Sequence, residues 1–329
     1  MKRGKIFNKR GQTRKFSLCT FPKKNRKGAL EISFAWLFAI IVGIFILALA
    51  IYFSVKFIGT EQTSIDAKTG KEIGVLLNPL ETSFETAKTT FFTVPVETRI
   101  YNICNDGGTF GKQTIQISQK SFNKWTETNV DVSFSNKYIF SDIYTEGKKF
   151  YVFSKPFEFP FKVADLIYIT SSLKEYCFIS PPENIEDEIS DLSQENLRAE
   201  NCSESSIKIC FSNEPDCSIY VDYKQGRIKK GEKSVNFEGD SLMYAGIFAD
   251  KEVYECQLDR LVKRIRQLSV IYKNKADFIS KQGCNSDLNL IALSSSADSF
   301  SSSADLGLLS LIAEEIREEN EANEGCRLW

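Results

Sequence analysis

The adjoining segments KKFYVFSKPFEFPFKV, residues 148–163, and DLIYITSS, residues 165–172, decide the fold class of this chain. Aromatic and β-branched residues recur in them with a period near two, which is typical of half-buried strands. Similar segments come before them, separated by turn-forming stretches such as residues 105–108. We therefore expect residues 92–182 to form an antiparallel β-rich domain in which the aromatic side chains build the core.

A second, mixed region follows an acidic and polar stretch. Residues 183–204 have the composition of a connector between domains. Beyond them, residues 207–210, 217–223 and 233–237 are short and rich in β-branched or aromatic residues, which predicts three strands. Residues 205–329 are thus expected to begin with a small β element that contains cysteines.

Two helices are predicted after this β element. Apolar residues recur at helical spacing from a possible cap at Asp250 to Gly283, and again from about Ser303 to Ala322. The second helix has one apolar face opposite an acidic one, so an antiparallel hairpin with the first helix is expected. The serine-rich residues 294–306 are interpreted as a loop or a capping region. The predicted fold class is α+β.

Cysteine usage indicates an oxidising compartment for this part of the chain. One cysteine, Cys19, lies in a basic N-terminal segment, and eight follow an apolar run. An even set with no C-x-x-C spacing favours structural disulfides over a zinc site. A helical hairpin would bring Cys326 towards Cys256, and pairing with Cys284 is the alternative. The candidate disulfide cysteines are Cys104, Cys177, Cys202, Cys210, Cys217, Cys256, Cys284 and Cys326.

An uncharged apolar run predicts a transmembrane helix near the N-terminus. No charged residue occurs from Ile32 to Val55, and a helix of that length spans about 36 Å, more than the bilayer core of about 30 Å. Trp36 and Tyr52 stand near its ends, where amphipathic rings favour the membrane interface. We expect residues 29–58 to cross the membrane and residues 59–91 to continue as a helical stalk.

Charge on either side of this run predicts its orientation. The first 27 residues hold eleven basic residues and no acidic one, whereas the rest of the chain holds 31 basic and 43 acidic residues. Positive flanks stay cytoplasmic, so residues 1–28 are expected to be a cytoplasmic arm or leader, attracted to anionic lipid. The domains after the helix are then extracytoplasmic. Their acidic balance argues against a nucleic-acid partner.

The stretch RKGALE, residues 26–31, followed at once by the apolar run, resembles the class III signal of archaeal type IV prepilins. In that family a peptidase cuts on the cytoplasmic side, after a Gly or Ala preceded by basic residues. The resemblance implies cleavage between Gly28 and Ala29 and packing of the apolar helix against its copies in a filament. A retained membrane anchor is the other interpretation of the same residues.

Catalytic motifs are missing from the sequence. The chain has no histidine, which excludes Ser-His-Asp and Cys-His nucleophile pairs and HExxH metal sites. No glycine-rich phosphate loop occurs, and the carboxylates of Glu238 and Asp240 are interpreted as a solvated turn. The sequence implies no cofactor, metal or small-molecule ligand.

A role at the cell envelope agrees best with these observations. We expect a single-pass membrane-anchored extracytoplasmic protein with a structural or interaction role, whose partners are the bilayer and either further copies or another envelope protein. A pilin-like filament subunit is the alternative, and an extracytoplasmic enzyme that works without histidine is a third.

Overall fold

The computed structural model describes residues 34–77, 88–121, 123–199, 201–212, 216–286, 288–323 and 325–329. Contacts divide the chain into two units, Met1–Phe57 and Ile58–Trp329. Together the described elements form a mixed α+β structure with one apolar N-terminal helix and two sheets, as the sequence predicts.

Helix α1 spans Phe34–Leu77. It contains residues 34–55 of the predicted apolar run and continues as helix through much of the predicted stalk. Residues 29–33 of the predicted transmembrane helix and residues 78–87 of the stalk lie outside the described residues. The last four stalk residues, 88–91, belong to a strand rather than to a helix, which corrects the predicted boundary. β-Branched and aromatic residues begin there, and they pair with a neighbouring strand.

The first sheet contains six strands in the order β3-β2-β1-β5-β6-β4. All neighbours in it are antiparallel except β4 and β6, which are parallel. This arrangement agrees with the antiparallel character expected from the period of two. The strands are β1 (Lys88–Asn105), β2 (Lys112–Ser121), β3 (Lys124–Phe134), β4 (Tyr138–Phe140), β5 (Tyr144–Glu158) and β6 (Lys162–Ser171).

This sheet curls until two strands that are not neighbours in it meet. The side-chain amide of Asn102 in β1 donates to the Ile139 carbonyl oxygen of β4 at 3.0 Å and to Ser141 Oγ at 2.9 Å. The curl encloses a small apolar interior to which Ile100, Ile117 and Phe150 contribute. Because β1, β2, β4, β5 and β6 all contribute to this interior, it fixes the curvature of the sheet.

The second sheet has the order β12-β11-β10-β9-β7-β8. Its central strands are parallel, and the β10–β11–β12 pairs are antiparallel. The strands are β7 (Tyr176–Ile179), β8 (Leu197–Arg198), β9 (Ile207–Cys210), β10 (Ile219–Asp222), β11 (Arg227–Lys230) and β12 (Lys233–Asn236). The strand predictions after residue 205 are confirmed, with one additional strand, β11.

The predicted connector, residues 183–204, is a packed part of the fold. It contains helix α2 (Glu183–Leu192), whose Ile185, Ile189 and Leu192 are buried. Strand β7 precedes this segment in the sequence and is expected to belong to the first domain. It pairs instead in the second sheet with β9, which follows the segment. The predicted division at residues 183–204 is therefore wrong, because β7 and α2 bury their apolar side chains in the core of the following part.

Four α-helices follow the second sheet in the described part of the chain. They are α3 (Gly239–Phe248), α4 (Lys251–Ser280), α5 (Leu290–Asp298) and α6 (Leu306–Ala322), the last preceded by a 3-10 turn, Ser303–Asp305. Helices α4 and α6 are confirmed. Helix α5 corrects the interpretation of the serine-rich stretch, since Asn289 caps it by accepting a hydrogen bond from the Ala292 amide at 3.2 Å.

Helices α4 and α6 run parallel, whereas the sequence predicts an antiparallel hairpin. The Ser303 amide, just before α6, donates to Glu255 Oε2 in the second turn of α4 at 2.8 Å. At the other end, Cys326 after α6 pairs with Cys284 after α4. Helix α5 supplies the antiparallel return between them, with Asp298 beside Arg266 at 2.8 Å. A three-helix arrangement replaces the hairpin because the return path is itself helical.

One apolar core joins the first sheet, the second sheet and the helices. Phe153 and Tyr168 of the first sheet stack at 4.5 Å, and both rings contact Tyr244 and Phe248 of α3. Residues 92–182 and 205–329 thus share a core and are one structural unit rather than two domains. Aromatic residues dominate this contact because each buries a large apolar area.

Candidate binding sites at the two ends of helix α3

Helix α3 is the centre of the candidate site. Its residues from Ser241 to Phe248 are all buried, so it has no solvent face. Tyr168 Oη donates to the Ser241 carbonyl oxygen at 2.7 Å, and Ser241 Oγ donates to the Pro156 carbonyl oxygen at 2.6 Å. These bonds tie the start of the helix to β6 and to the end of β5. Glu238 and Lys251, which flank the helix, are exposed. A cavity lies at each end.

The cavity at the N-terminal end of α3 has a volume of about 390 Å³. Its walls are the turn at residues 223–226, the segment 236–240 and the residues around the start of α6. Gly226 has φ +60°, and a Cβ there would lie 2.4 Å from the Phe237 carbonyl oxygen. This close approach requires glycine and holds the β10–β11 turn against the start of α3.

A polar network closes one wall of this cavity. Asp240 Oδ1 accepts a hydrogen bond from Tyr223 Oη at 2.7 Å, and Asn184 Nδ2 donates to Asp240 Oδ2 at 3.3 Å. Lys155 Nζ lies 2.6 Å from Glu188 Oε2 and 3.9 Å from Asp240 Oδ2. Burial raises the pKa of the Tyr223 phenol, so it remains a hydrogen-bond donor at neutral pH.

This network has a structural explanation. Asp240 lies in the first turn of α3, where a negative charge is favoured by the helix dipole. Glu188 and Asn184 belong to α2, so the network ties α2 and β5 to the start of α3. The carboxylate of Asp240 is not part of a solvated turn, as the sequence suggested, but of a partly buried cluster whose hydrogen bonds are internal to the protein.

The cavity at the C-terminal end of α3 has a volume of about 180 Å³ and a different chemistry. The hairpin β11–β12 forms one side, and the junction between α3 and α4 forms the other. Its floor is apolar, and a Cβ on Gly246 would lie 2.6 Å from Ile228 Cδ1. Three lysines and one aspartate line the cavity: Lys230, Lys233, Lys251 and Asp250.

Lys230 is the distinctive group of this cavity. Its Nζ donates to the Ala249 carbonyl oxygen at 2.7 Å, at the negative end of the α3 dipole. Burial lowers the pKa of Lys230 to about 8, and repulsion from Lys174 acts in the same direction. Asp142 and Asp250 oppose this shift through longer-range attraction. Keeping the Lys230 ammonium group charged in this environment therefore costs folding free energy.

Stability should depend on pH through this lysine. An unfolded lysine has a pKa of about 10.4, so between about pH 8 and pH 10 the unfolded chain binds a proton that folded Lys230 has lost. The free energy of unfolding is expected to rise across this interval. Above about pH 10 the trend reverses, because burial raises the pKa of Tyr168 and Tyr254 and only the unfolded phenols ionise readily.

Urea denaturation at about pH 7.5 and about pH 9.5 measures this effect. Lys230→Met should abolish the rise, whereas Lys229→Met, on the exposed face of the same strand, should retain it. Equal pH slopes in both variants would show that Lys230 is not the group responsible.

The eight candidate cysteines form four pairs in the structure: Cys104–Cys256, Cys177–Cys202, Cys210–Cys217 and Cys284–Cys326. The expected Cys256–Cys326 pair is wrong, because the parallel course of α6 takes the chain end to Cys284. The alternative pairing, Cys284–Cys326, is confirmed. The candidate cleavage residues, Gly28 and Ala29, lie outside the described residues.

The sequence of β11 itself carries a signal for the lysine cavity. In β11 the alternation of exposed and buried residues places Lys230 on the same face as buried Ile228. A lysine on the apolar face of a strand is uncommon and marks a place where its charge has a structural or binding purpose.

The chain matches no protein-family model, no curated protein and no solved structure. Within the described ranges, no group of three or more Cys, Asp or Glu residues is arranged to hold a metal ion.

Proposed function

We propose that this protein is a single-pass membrane-anchored extracytoplasmic protein with a structural or interaction role at the cell envelope. The observation that carries the proposal is the segment Phe34–Lys56 of helix α1, which has 23 residues, a mean hydropathy of 2.9 and no buried residue. Phe34 is 83% exposed and Ile44 64% exposed. Apolar exposure on this scale is costly in water and favourable in a bilayer.

The disulfides support the extracytoplasmic location that the proposal includes. All eight cysteines after the apolar helix are paired, and such pairs persist in oxidising compartments outside the cytoplasm. The basic segment before the helix supports a cytoplasmic N-terminus.

Intact-mass measurement of membrane-isolated protein, before and after reduction, tests the proposal. Four disulfides correspond to eight hydrogen atoms fewer in the unreduced chain. We expect this difference, together with retention of the protein in membranes during an alkaline wash. Release from the membranes would contradict anchoring, and alkylation of all eight cysteines before reduction would contradict an oxidising location.

A pilin-like filament subunit is the second candidate, favoured by the length of α1. The helix runs for 44 residues, about 66 Å, and so extends beyond the apolar segment without a break. A helix of this kind suits packing against copies of itself after cleavage. The mass measurement also distinguishes this candidate, because a chain that starts at Ala29 supports it and a chain that starts at Met1 contradicts it.

A further inference from the structure

The cavity beside Lys230 combines an apolar floor with a positively charged rim. Ile228, Val235 and Gly246 contribute the apolar surface. On the rim, Lys233 is neutralised by Glu252 at 2.5 Å, and Asp250 Oδ2 accepts a hydrogen bond from the Ile143 amide at 2.8 Å. Among the charged groups of the rim, Lys230 and Lys251 are therefore those that an anionic ligand can contact with the least competition from existing ion pairs.

The partner of Lys230 does not compensate its charge. Lys230 Nζ donates to the neutral carbonyl oxygen of Ala249, and a carbonyl stabilises an ammonium group less than a carboxylate does. A partly buried ammonium group without a close counter-ion carries an uncompensated desolvation cost. An anion placed in the cavity would remove part of this cost, so its binding would be favoured by the existing electrostatics.

We propose that this cavity is a binding site for a small organic anion. Its carboxylate would contact Lys230 and Lys251, and its apolar body would lie on Ile228, Val235 and Gly246. The volume of about 180 Å³ suits a short aliphatic or compact aromatic carboxylate. An apolar cavity with a few placed polar groups is the usual form of such a site.

The cavity at the other end of α3 has the opposite character. The carboxylates of Glu238 and Asp240 line that cavity, with Lys224 as its lysine. An anion would meet repulsion there, so the two cavities provide an internal comparison. The proposal requires neither membrane anchoring nor filament assembly, because all residues of the site lie in the unit Ile58–Trp329.

Titration calorimetry of the full-length protein in a nonionic detergent, with hexanoate as the probe and hexanol as its neutral counterpart, tests the proposal. Hexanoate should bind, and hexanol should bind at least tenfold more weakly. Lys230→Gln should weaken hexanoate binding at least tenfold, whereas Lys229→Gln, on the exposed face of the same strand, should leave it unchanged. Thermal unfolding of each variant confirms that it is folded.

The pH dependence gives a second readout. The charged groups that face Lys230 are Asp142 before β5, Lys174 after β6, Asp250 before α4, and Lys233 and Lys251 on the rim. Hexanoate affinity should fall as the pH rises above about 8, because neutral Lys230 no longer attracts the carboxylate. Lys230→Gln should remove this dependence. Undetectable hexanoate binding, equal binding of hexanol, or equal affinity of the Lys230→Gln variant would each overturn the proposal.

Discussion

Replacement of Arg260 by methionine is expected to lower the free energy of unfolding by about 3 to 5 kcal/mol, as breaking a buried charged network does. Arg260 lies in α4 and is completely buried. Its guanidinium group reaches three backbone carbonyl oxygens, one side-chain oxygen and one aromatic ring. These partners are Phe110 O at 3.1 Å, Ser135 O at 3.1 Å, Lys137 O at 3.0 Å, Gln257 Oε1 at 2.7 Å and the ring of Tyr138 at 4.9 Å.

The effect should be large because one side chain holds two connections of the first sheet against α4. Phe110 lies between β1 and β2, and Ser135 and Lys137 lie between β3 and β4. Methionine would fill much of the volume but leave those carbonyl oxygens without a donor. Gly111 packs on the arginine stem, since a Cβ there would lie 2.8 Å from Arg260 Cγ.

Urea denaturation of the full-length protein in nonionic detergent measures this prediction. Arg266→Met is the matched control, because Arg266 lies on the same helix and pairs with exposed Asp298. Its replacement should cost less than about 1 kcal/mol, as surface ion pairs do. Arg260→Lys should also destabilise, because an ammonium group cannot span the same carbonyl oxygens. Equal unfolding midpoints for Arg260→Met and Arg266→Met would refute the role given to Arg260.

Removal of the Cys104–Cys256 disulfide is the second prediction with a large expected effect. The paired cysteines are 152 residues apart and join the end of β1 to α4. Replacement of both by alanine should lower the free energy of unfolding by about 3 to 5 kcal/mol. The reason is that a cross-link that closes a long loop removes more conformational entropy from the unfolded chain than one that closes a short loop.

The Cys284–Cys326 pair is the control for this prediction. It closes a loop of 42 residues, and all four of these cysteines are partly buried. Loop-closure entropy predicts that its double alanine variant loses about 1 kcal/mol less than the Cys104–Cys256 variant. A larger loss for the Cys284–Cys326 variant would show that local packing, rather than loop length, sets the contribution of these disulfides.

Local periodicity is sufficient to locate a helix or strand in the sequence when that element has one buried and one exposed face. Strands β1 and β2 and helices α4 and α6 are of this kind, and their predicted positions agree with the structure. Strands β5 and β6 are buried on both faces, and their positions follow from their aromatic and β-branched composition. Helix α3 is buried from Ser241 to Phe248 and lacks this contrast, so the sequence around its start predicts only a turn. Helix α5 was missed because serine favours caps and loops as much as helices.

The candidate sites depended on contacts between distant segments. Lys230 meets Ala249 only because the β11–β12 hairpin lies on the end of α3. Asp240 meets Asn184 and Lys155 only because α2 and β5 converge on its start. No periodicity within one segment carries this information.

The sequence by itself determined the α+β class, the apolar N-terminal helix, most strands and the two longest helices of the second unit, because these follow from local composition and spacing. Only the tertiary structure decided the membership of β7 in the second sheet, the parallel course of α4 and α6, and the pairing of Cys104 with Cys256. It also decided that α2 is part of the core. These features follow from how apolar surface is shared among elements far apart in the chain, since burial is a property of the assembled fold.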